Sequence, residues 1–308
     1  MLSHNFENFI NTGLYLRGWS PKTASLYRQA FLCFTRFQQS HRESLQGSRS
    51  GVEPDTLPAD AGCGNRLGLT KAQLETWLVW MRQNGRTPAG CNIYTCVFNS
   101  FCSWLNEQGL LKEQIKIKKL KSHAPPVVVL SDTEVRKLLA AKPKRLTYLR
   151  TWILIVLMLD TGCRIDEALN LKASDIDFDN LLLVVLGKGN KPRRIPFSAE
   201  LRKHLWTYSQ KTTGRFLFGT RTGTQITYRN AYRNIKACCK HAGVEGEHVH
   251  PHNFRHTFAC TFIKRQGSVV ALSRILGHSS ITTTQTYLRG LQIEDFAEAR
   301  HLSPLARV

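Results

Sequence analysis

Tyr287 carries a phenol nine positions after His278 in LGHSSITTTQTYLRG. A phenol titrating at about 10 is barely ionised at neutral pH, so as a nucleophile it needs help. Three other segments hold candidates for that help. In HPHNFRHTFA, His252 and Arg255 stand three apart, which on a helix turns an imidazole and a guanidinium the same way. A guanidinium presents a planar fork to two phosphate oxygens. TGCRIDEALNL puts Arg164 just after a Thr-Gly turn, in the first turn of an amphipathic helix, and GKGNKPRRIP sets Lys188, Lys191, Arg193 and Arg194 around a hairpin turn. Gathered around Tyr287, Arg164, Lys188, His252, Arg255 and His278 would stabilise both a phenolate and a pentacoordinate phosphorane without a metal ion. Singly, each has a plainer explanation. Arg164 can pair with Asp166 and Glu167, basic hairpin tips grip nucleic-acid backbones without reading sequence, and a tyrosine near a helix end is commonly half-buried packing.

A metal site is the competing use of the same residues. His248, His250, His252 and His256 fall within nine positions, but no glutamate follows His252 as in HExxH, and Cys238, Cys239 and His241 lack zinc-finger spacing. We therefore expect neither metal nor cofactor.

Composition narrows the partner. The 308 residues include 43 Lys and Arg against 22 Asp and Glu, a net charge of +21 and a pI near 9.9, which attracts polyanions. An anionic membrane is the weaker choice, since the longest apolar run, Trp152 to Leu159, falls far short of the roughly 20 residues that span a bilayer. The start, MLSHNFENF, lacks the basic and apolar regions of a secretory leader, and nine cysteines without a regular framework point to reduced thiols in a cytoplasmic protein.

The elements that must position these side chains follow from punctuation and period. Ser20-Pro21 and Thr87-Pro88 open helices, the second carrying the apolar stripe Ile93, Val97, Phe98, Phe101 and Leu105, and Thr70 opens another through Leu74, Trp77, Leu78 and Met81. Residues 41–69, rich in glycine, suggest a long loop insertion. KEQIKIKKLK at 112–121 precedes a diproline, which sets a boundary: a helical domain over 1–122, a linker over 123–129 and a second domain over 130–308. Net charges of +7 on 1–122 and +14 on 123–308 suggest that both domains touch the polyanion, as two lobes of a clamp. The second domain opens with the capping box Ser131 to Glu134, continues into a helix from Leu146 to Leu159, and then switches to strands around Ile176, Leu181 to Leu186 and Arg194 to Phe197. Helical patterns return over 198–209, 227–242, 253–265 and 268–276. The fold class is mainly α with a small three-stranded antiparallel sheet.

TGCRIDEAL, GKGNKPRRIP, HPHNFRHTFA, LGHSS and the following Tyr287 resemble, in order and spacing, the active-site motifs of the tyrosine recombinases, the phage-type integrases and chromosome-dimer resolvases. The resemblance covers residues 130–290, and the amino-terminal helices look like that family's core-binding domain. It implies that Tyr287 attacks the scissile phosphate to form a 3′-phosphotyrosyl link and release a 5′-hydroxyl. Arg164 and Arg255 would hold the nonbridging oxygens, and Lys188, with Lys191 as the fallback, would protonate the departing oxygen. His252 would assist proton transfer at the tyrosine, His278 would hydrogen-bond the phosphate, and Glu167 would brace Arg164. The implied partners are double-stranded DNA at specific recombination sites, further copies in a homotetramer and accessory DNA-bending proteins. An arm-binding domain is expected to be absent, because the helical lobe begins almost at once. An amphipathic helix beyond Tyr287, through Leu291, Ile293, Phe296 and Leu302, would dock on a neighbouring subunit. The runners-up are a type IB topoisomerase-like enzyme that relaxes supercoils, and a DNA-binding regulator that keeps the fold without turnover.

Overall fold

A computed structural model describes residues 1–47, 67–122, 128–187, 191–212, 214–220, 222–278 and 280–288. The chain folds as two compact units, Met1–Ala124 and Pro125–Val308.

The first unit is helical: α1 (Leu2–Asn11), α2 (Pro21–Gly47), α3 (Lys71–Gln83) and α4 (Pro88–Glu107). Local chemistry sets their starts. The hydroxyls of Ser20, Thr70 and Thr87 each accept a backbone N–H from the first turn, at 3.1, 3.2 and 3.2 Å. Their apolar faces meet in an aromatic core of Phe6, Phe9, Phe34, Trp77, Phe98 and Phe101, each at most 1% exposed. The helix α2 continues through Gly47, so the insertion expected from residue 41 begins later. Arg42, Glu43, Leu45 and Gln46 are good helix formers, and the glycine-rich stretch starts only at Gly47. The rest of that insertion, 48–66, lies outside the described residues, as do 123–127 of the expected linker.

The lysine run after α4 is extended and tied down. Asn92, Asn99 and Asn106 stand seven apart on α4 and face the same way. Asn99 donates to Ile117 O (3.0 Å) and accepts from Ile117 N (2.9 Å), and Asn92 does the same with Leu120 (2.9 and 2.8 Å). Asn106 donates to Leu111 O at 2.9 Å. Leu111 and Ile117 are buried while Lys116, Lys118, Lys119 and Lys121 are exposed, so the segment sets apolar side chains inward and lysines towards solvent.

The second unit opens with α5 (Asp132–Ala140), whose capping box joins Ser131 to Glu134, and α6 (Leu146–Thr161). Every residue of α6 from Thr151 to Met158 is buried, so the helix runs through the core, packing against α10 and α9. After the short α7 (Ile165–Leu169) come β1 (Ile176–Asp177), β2 (Leu182–Leu186) and β3 (Pro192–Pro196), an antiparallel sheet in sequence order with Leu183 opposite Ile195 and Val185 opposite Arg193. The helices α8 (Ala199–Ser209), α9 (Tyr228–His241), α10 (Pro251–Lys264), α11 (Val269–Leu276) and α12 (Ile281–Gln285) follow. Among the described residues no helix is long and apolar enough to cross a membrane.

Candidate active site

Two helix ends define the site. Both α6 and α11 stop at a left-handed glycine, Gly162 (φ +63°) and Gly277 (φ +64°), which leaves their last carbonyls pointing out of the helix. Arg255, on the inner face of α10 and 4% exposed, donates to both ends: Nη1 to Gly162 O at 2.7 Å and Nη2 to Leu276 O at 2.8 Å. Carbonyls at a helix C-terminus carry partial negative charge, so a buried guanidinium is well placed there. Arg164 reaches the same carbonyl from α7, Nη1 to Leu276 O at 3.3 Å. Two arginines from distant parts of the chain thus meet at one oxygen.

Beneath them lies Glu167, 7% exposed. It accepts the N–H of Arg164 (2.7 Å) and its Nη1 (2.9 Å), together with both terminal nitrogens of Arg193 (2.7 and 2.8 Å). Burial pushes the Glu167 carboxyl up, but the hydrogen bonds from Arg193 and from the Arg164 N–H outweigh it and hold the group below the usual carboxylate range. Arg193 also donates Nε to Ile275 O at 2.8 Å, which joins the hairpin to the end of α11. Sequence reasoning treated Arg193 as one of several basic hairpin residues. The signal that separates it from its neighbour is the period of two: Arg193 shares a strand face with the buried Ile195, whereas Arg194 points to solvent.

The tyrosine arrives from the other side. Tyr287 follows α12 and is 4% exposed, packed with Ala259, Cys260, Ile263, Leu272 and Leu276. The His278 ring lies nearly parallel to it at 6.3 Å. His278 is tied at both nitrogens, Nε2 to Arg255 Nη2 (3.0 Å) and Nδ1 to Thr284 Oγ1 (2.8 Å). The structure therefore brings Arg164, Arg255, His278 and Tyr287 together. His252 stands on α10 with its ring edge-on to His250, and no described hydrogen bond joins it to Tyr287. The imidazole on the phenol is that of His256, with Nδ1 3.2 Å from Tyr287 Oη and ring centroids 5.4 Å apart. Sequence reasoning met His256 only as a member of the histidine cluster. Lys188 lies outside the described residues, and Lys191 is exposed, its carbonyl accepting the Gly187 N–H (2.9 Å) that closes the hairpin.

Electrostatics differ from the sequence expectation in one respect. Burial pushes the Tyr287 phenol above its ordinary value, and the opposing charge of Arg255 does not reverse this, so the free protein holds a neutral tyrosine. Burial together with nearby cations pushes His278 and His256 down to about 4, and lowers His252 as well, chiefly through burial and then Arg255 and Arg164. Burial and then the charge of Arg164 lower Arg255 to about 10, which still leaves it protonated at neutral pH. The site presents fixed guanidinium charge with neutral imidazoles, suited to receiving an anion. Among the described residues no group of three or more His, Cys, Asp or Glu could hold a metal ion.

Residues 128–292 match the model of the phage integrase family, a segment that contains every one of these side chains. The chain belongs to that family. Its relatives are tyrosine recombinases, enzymes that cleave and rejoin DNA. It is 24% identical to the tyrosine recombinase XerD of Listeria innocua over 96% of this chain and 97% of that protein. It is 30% identical to XerC of Xanthomonas campestris over 71% and 69%, and 29% identical to XerA of Thermococcus kodakarensis over 74% and 80%. The fold is shared with the Tn1549 transposon integrase in complex with transposon right end DNA (TM-score 0.71, 19% identity, 98% of each chain). It is likewise shared with a lambda integrase dimer bound to a COC′ core site (TM-score 0.68, 18% identity, 94% of this chain and 78% of that one). The expected family and the expected mainly helical, two-domain fold class are therefore both met.

Proposed function

We propose that this tyrosine recombinase cuts DNA at a specific site by attack of Tyr287 on the scissile phosphate, and rejoins strands by the reverse reaction. The observation that carries the assignment of residues is the convergence of Arg164 and Arg255 on the Leu276 carbonyl beside His278 and Tyr287. A phosphodiester entering there meets two guanidinium forks for its nonbridging oxygens and a hydrogen-bonding imidazole, while the phenol lies alongside. Lys188 serves as the acid for the departing 5′-oxygen, with Lys191 in reserve. His252, three positions before Arg255 on α10, assists proton transfer at Tyr287. The ester bond energy stays in the phosphotyrosyl link and is returned when a strand's 5′-hydroxyl attacks it, so the chemistry asks for no cofactor.

The division of labour follows the sequence boundaries: residues 1–122 bind DNA as a helical domain, 123–129 link, and 130–308 carry the chemistry. Both domains are basic, and we assign both to DNA contact at the nucleoid. Strand exchange requires paired sites, which a homotetramer provides, with the segment beyond Tyr287 docking on a neighbouring subunit. That segment, 289–308, lies outside the described residues. The XerH recombinase bound to difH substrate, a structural neighbour at TM-score 0.67 and 19% identity, was captured in a pre-cleavage complex. The relatives do not favour supercoil relaxation or a regulator without turnover.

The test uses a supercoiled plasmid carrying the DNA that flanks the gene, incubated without added metal with wild type and with Tyr287→Phe. After denaturation and nuclease trimming, mass spectrometry of the Tyr287 peptide is expected to show a nucleotide adduct in wild type only. Tight, salt-sensitive binding without an adduct would refute cleavage in favour of the regulator.

A further inference from the structure

We infer that Asn92 and Asn99 are positioning residues for DNA binding: they lay residues 116–121 along α4 as an extended strip whose lysines, Lys116, Lys118, Lys119 and Lys121, form a ready-made row for the phosphates of a duplex. The inference rests on DNA being the substrate, as proposed above, and not on the identity of the nucleophile.

The register between helix and strip is a match of two repeats. Asn92 and Asn99 stand seven residues apart, about 10.5 Å along an α-helix, and their partners Leu120 and Ile117 stand three apart, about 10 Å in an extended chain. Helix and strip run antiparallel. Each side-chain amide satisfies both the N–H and the C=O of its partner, as a neighbouring strand would. Ile117 is 3% exposed in the core of the first unit, and Ile115 and Leu120 pack against that core. The amides fix the path of the chain, and the apolar side chains fix which side of it faces out.

What faces out carries one sign of charge. Between 116 and 121 the exposed positions are Lys116, Lys118, Lys119 and Lys121, with no acid among them. Contact with water asks only for polar side chains, and ammonium groups set this close repel one another. Three other cations of this unit are neutralised locally: Arg17 by Glu107 (2.9 Å), Arg28 by Glu7 (2.8 Å) and Lys71 by Glu75 (3.8 Å). Among the described residues no carboxylate forms such a pair with Lys116, Lys118, Lys119 or Lys121. An anion from outside is the remaining partner, and its spacing fits. Five steps of extended chain span about 17 Å, a length over which one strand of B-DNA carries about five phosphates. Lysine suits them as a point charge that needs no fixed fork. Such contacts hold a duplex without reading its bases. A loose lysine tail would have to be ordered on binding, whereas Asn92 and Asn99 order this one in advance.

The test takes the full-length chain carrying Tyr287→Phe, so that no covalent capture intrudes, and a fluorescein-labelled duplex of mixed sequence and about 30 base pairs. Anisotropy is read across about 50 to 300 mM KCl. Lys116→Gln, Lys118→Gln, Lys119→Gln and Lys121→Gln together should make the log–log salt slope shallower by about 3 to 4. Asn92→Ala with Asn99→Ala should weaken binding about fivefold to tenfold and leave the slope within about one of the parent, since the charges remain and only their order is lost. In the background lacking the lysines, the same asparagine changes should alter affinity less than about twofold, a dependence that general damage to the unit would not show. A slope within about one of the parent after the lysine changes would overturn the strip as a phosphate surface. Asparagine changes without effect, or with an effect of equal size whether or not the lysines are present, would overturn the positioning role. If the parent protein binds no duplex at any of these salt concentrations, the proposed function itself fails, an outcome that resembles neither of the others.

Discussion

Arg193→Met is the most informative single change outside the reacting groups. It keeps most of the side-chain volume but removes two of the four hydrogen bonds that Glu167 accepts, leaving a carboxylate with 5% side-chain exposure held by Arg164 alone. Charge-assisted bonds are worth about 1.5–3 kcal/mol each, and breaking a buried pair by removing one partner costs about 3–5 kcal/mol. Arg164 and its N–H remain, so we expect the low end, about 3 kcal/mol. Opening of α7 and β3 should then become roughly 10²-fold more frequent, since about 1.4 kcal/mol is a factor of ten. Amide hydrogen exchange over 165–169 and 193–195 measures this locally, so the helical unit does not confuse it. The effect should shrink in acid. A carboxyl held low by its partners contributes stability above its unfolded-state value that is lost as pH falls through its folded value, so below that value wild type and variant converge. Adduct formation should fall alongside, because Arg164 loses the anchor that fixes its own brace. An exchange rate within threefold of wild type at neutral pH would refute the reasoning, and would mean that Arg164 and the backbone suffice to hold Glu167.

Other expectations are simpler. Gly162→Ala demands a left-handed alanine whose Cβ meets Phe258 Cδ1 at 2.3 Å, so the thermal midpoint of the second unit should drop by several degrees, as calorimetry would record. The neutral state of His256 and His278, both pushed down to about 4, adds stability at neutral pH that is lost as pH falls from about 6.5 towards 4, where the unfolded chain binds protons that the folded site refuses. Denaturant titrations at pH 7 and pH 5 should differ by on the order of 1 kcal/mol or more for this reason, and His278→Asn should reduce the difference. DNA affinity should fall steeply with salt, with a log–log slope beyond about −4, because a protein of net charge +21 neutralises several phosphates; a shallow slope would count against extensive backbone contact. Truncation after Gly290 should abolish assembly on paired sites while leaving cleavage chemistry intact, as gel filtration of DNA complexes would show.

Sequence carried most of the helix starts and the sheet, because caps and periods are local properties. Ser20, Thr70, Thr87 and Ser131 act where their spacing to the next apolar turn says they should. It also carried Arg164, Arg255, His278 and Tyr287 as one group, through motif order. What it could not carry is the direction of a side chain that two elements compete for. His252 and His256 both fit a helical face, and only the packing of the Tyr287 segment decides which imidazole meets the phenol. Arg193 looked like its neighbours because a hairpin tip is basic throughout, and its inward turn depends on Glu167, 26 residues away. The asparagine series on α4 was invisible for a different reason: its partners are backbone groups, which every sequence has.

The arginine end of the site hangs on main-chain atoms. Arg255 is aimed by the carbonyls of Gly162 and Leu276, and both carbonyls owe their direction to glycines, Gly162 and Gly277, with backbone angles that other residues rarely adopt. Gly277 moreover leaves little room for a Cβ, which would lie 3.0 Å from the Arg193 guanidinium. In a saturation screen these two positions should therefore be among the least tolerant in the catalytic unit, although neither possesses a functional group. Mutational intolerance here will map the scaffold's geometry as faithfully as its chemistry. A screen that ranks residues by sensitivity alone will place two glycines beside Tyr287, and only the cleavage assay will separate scaffold from chemistry.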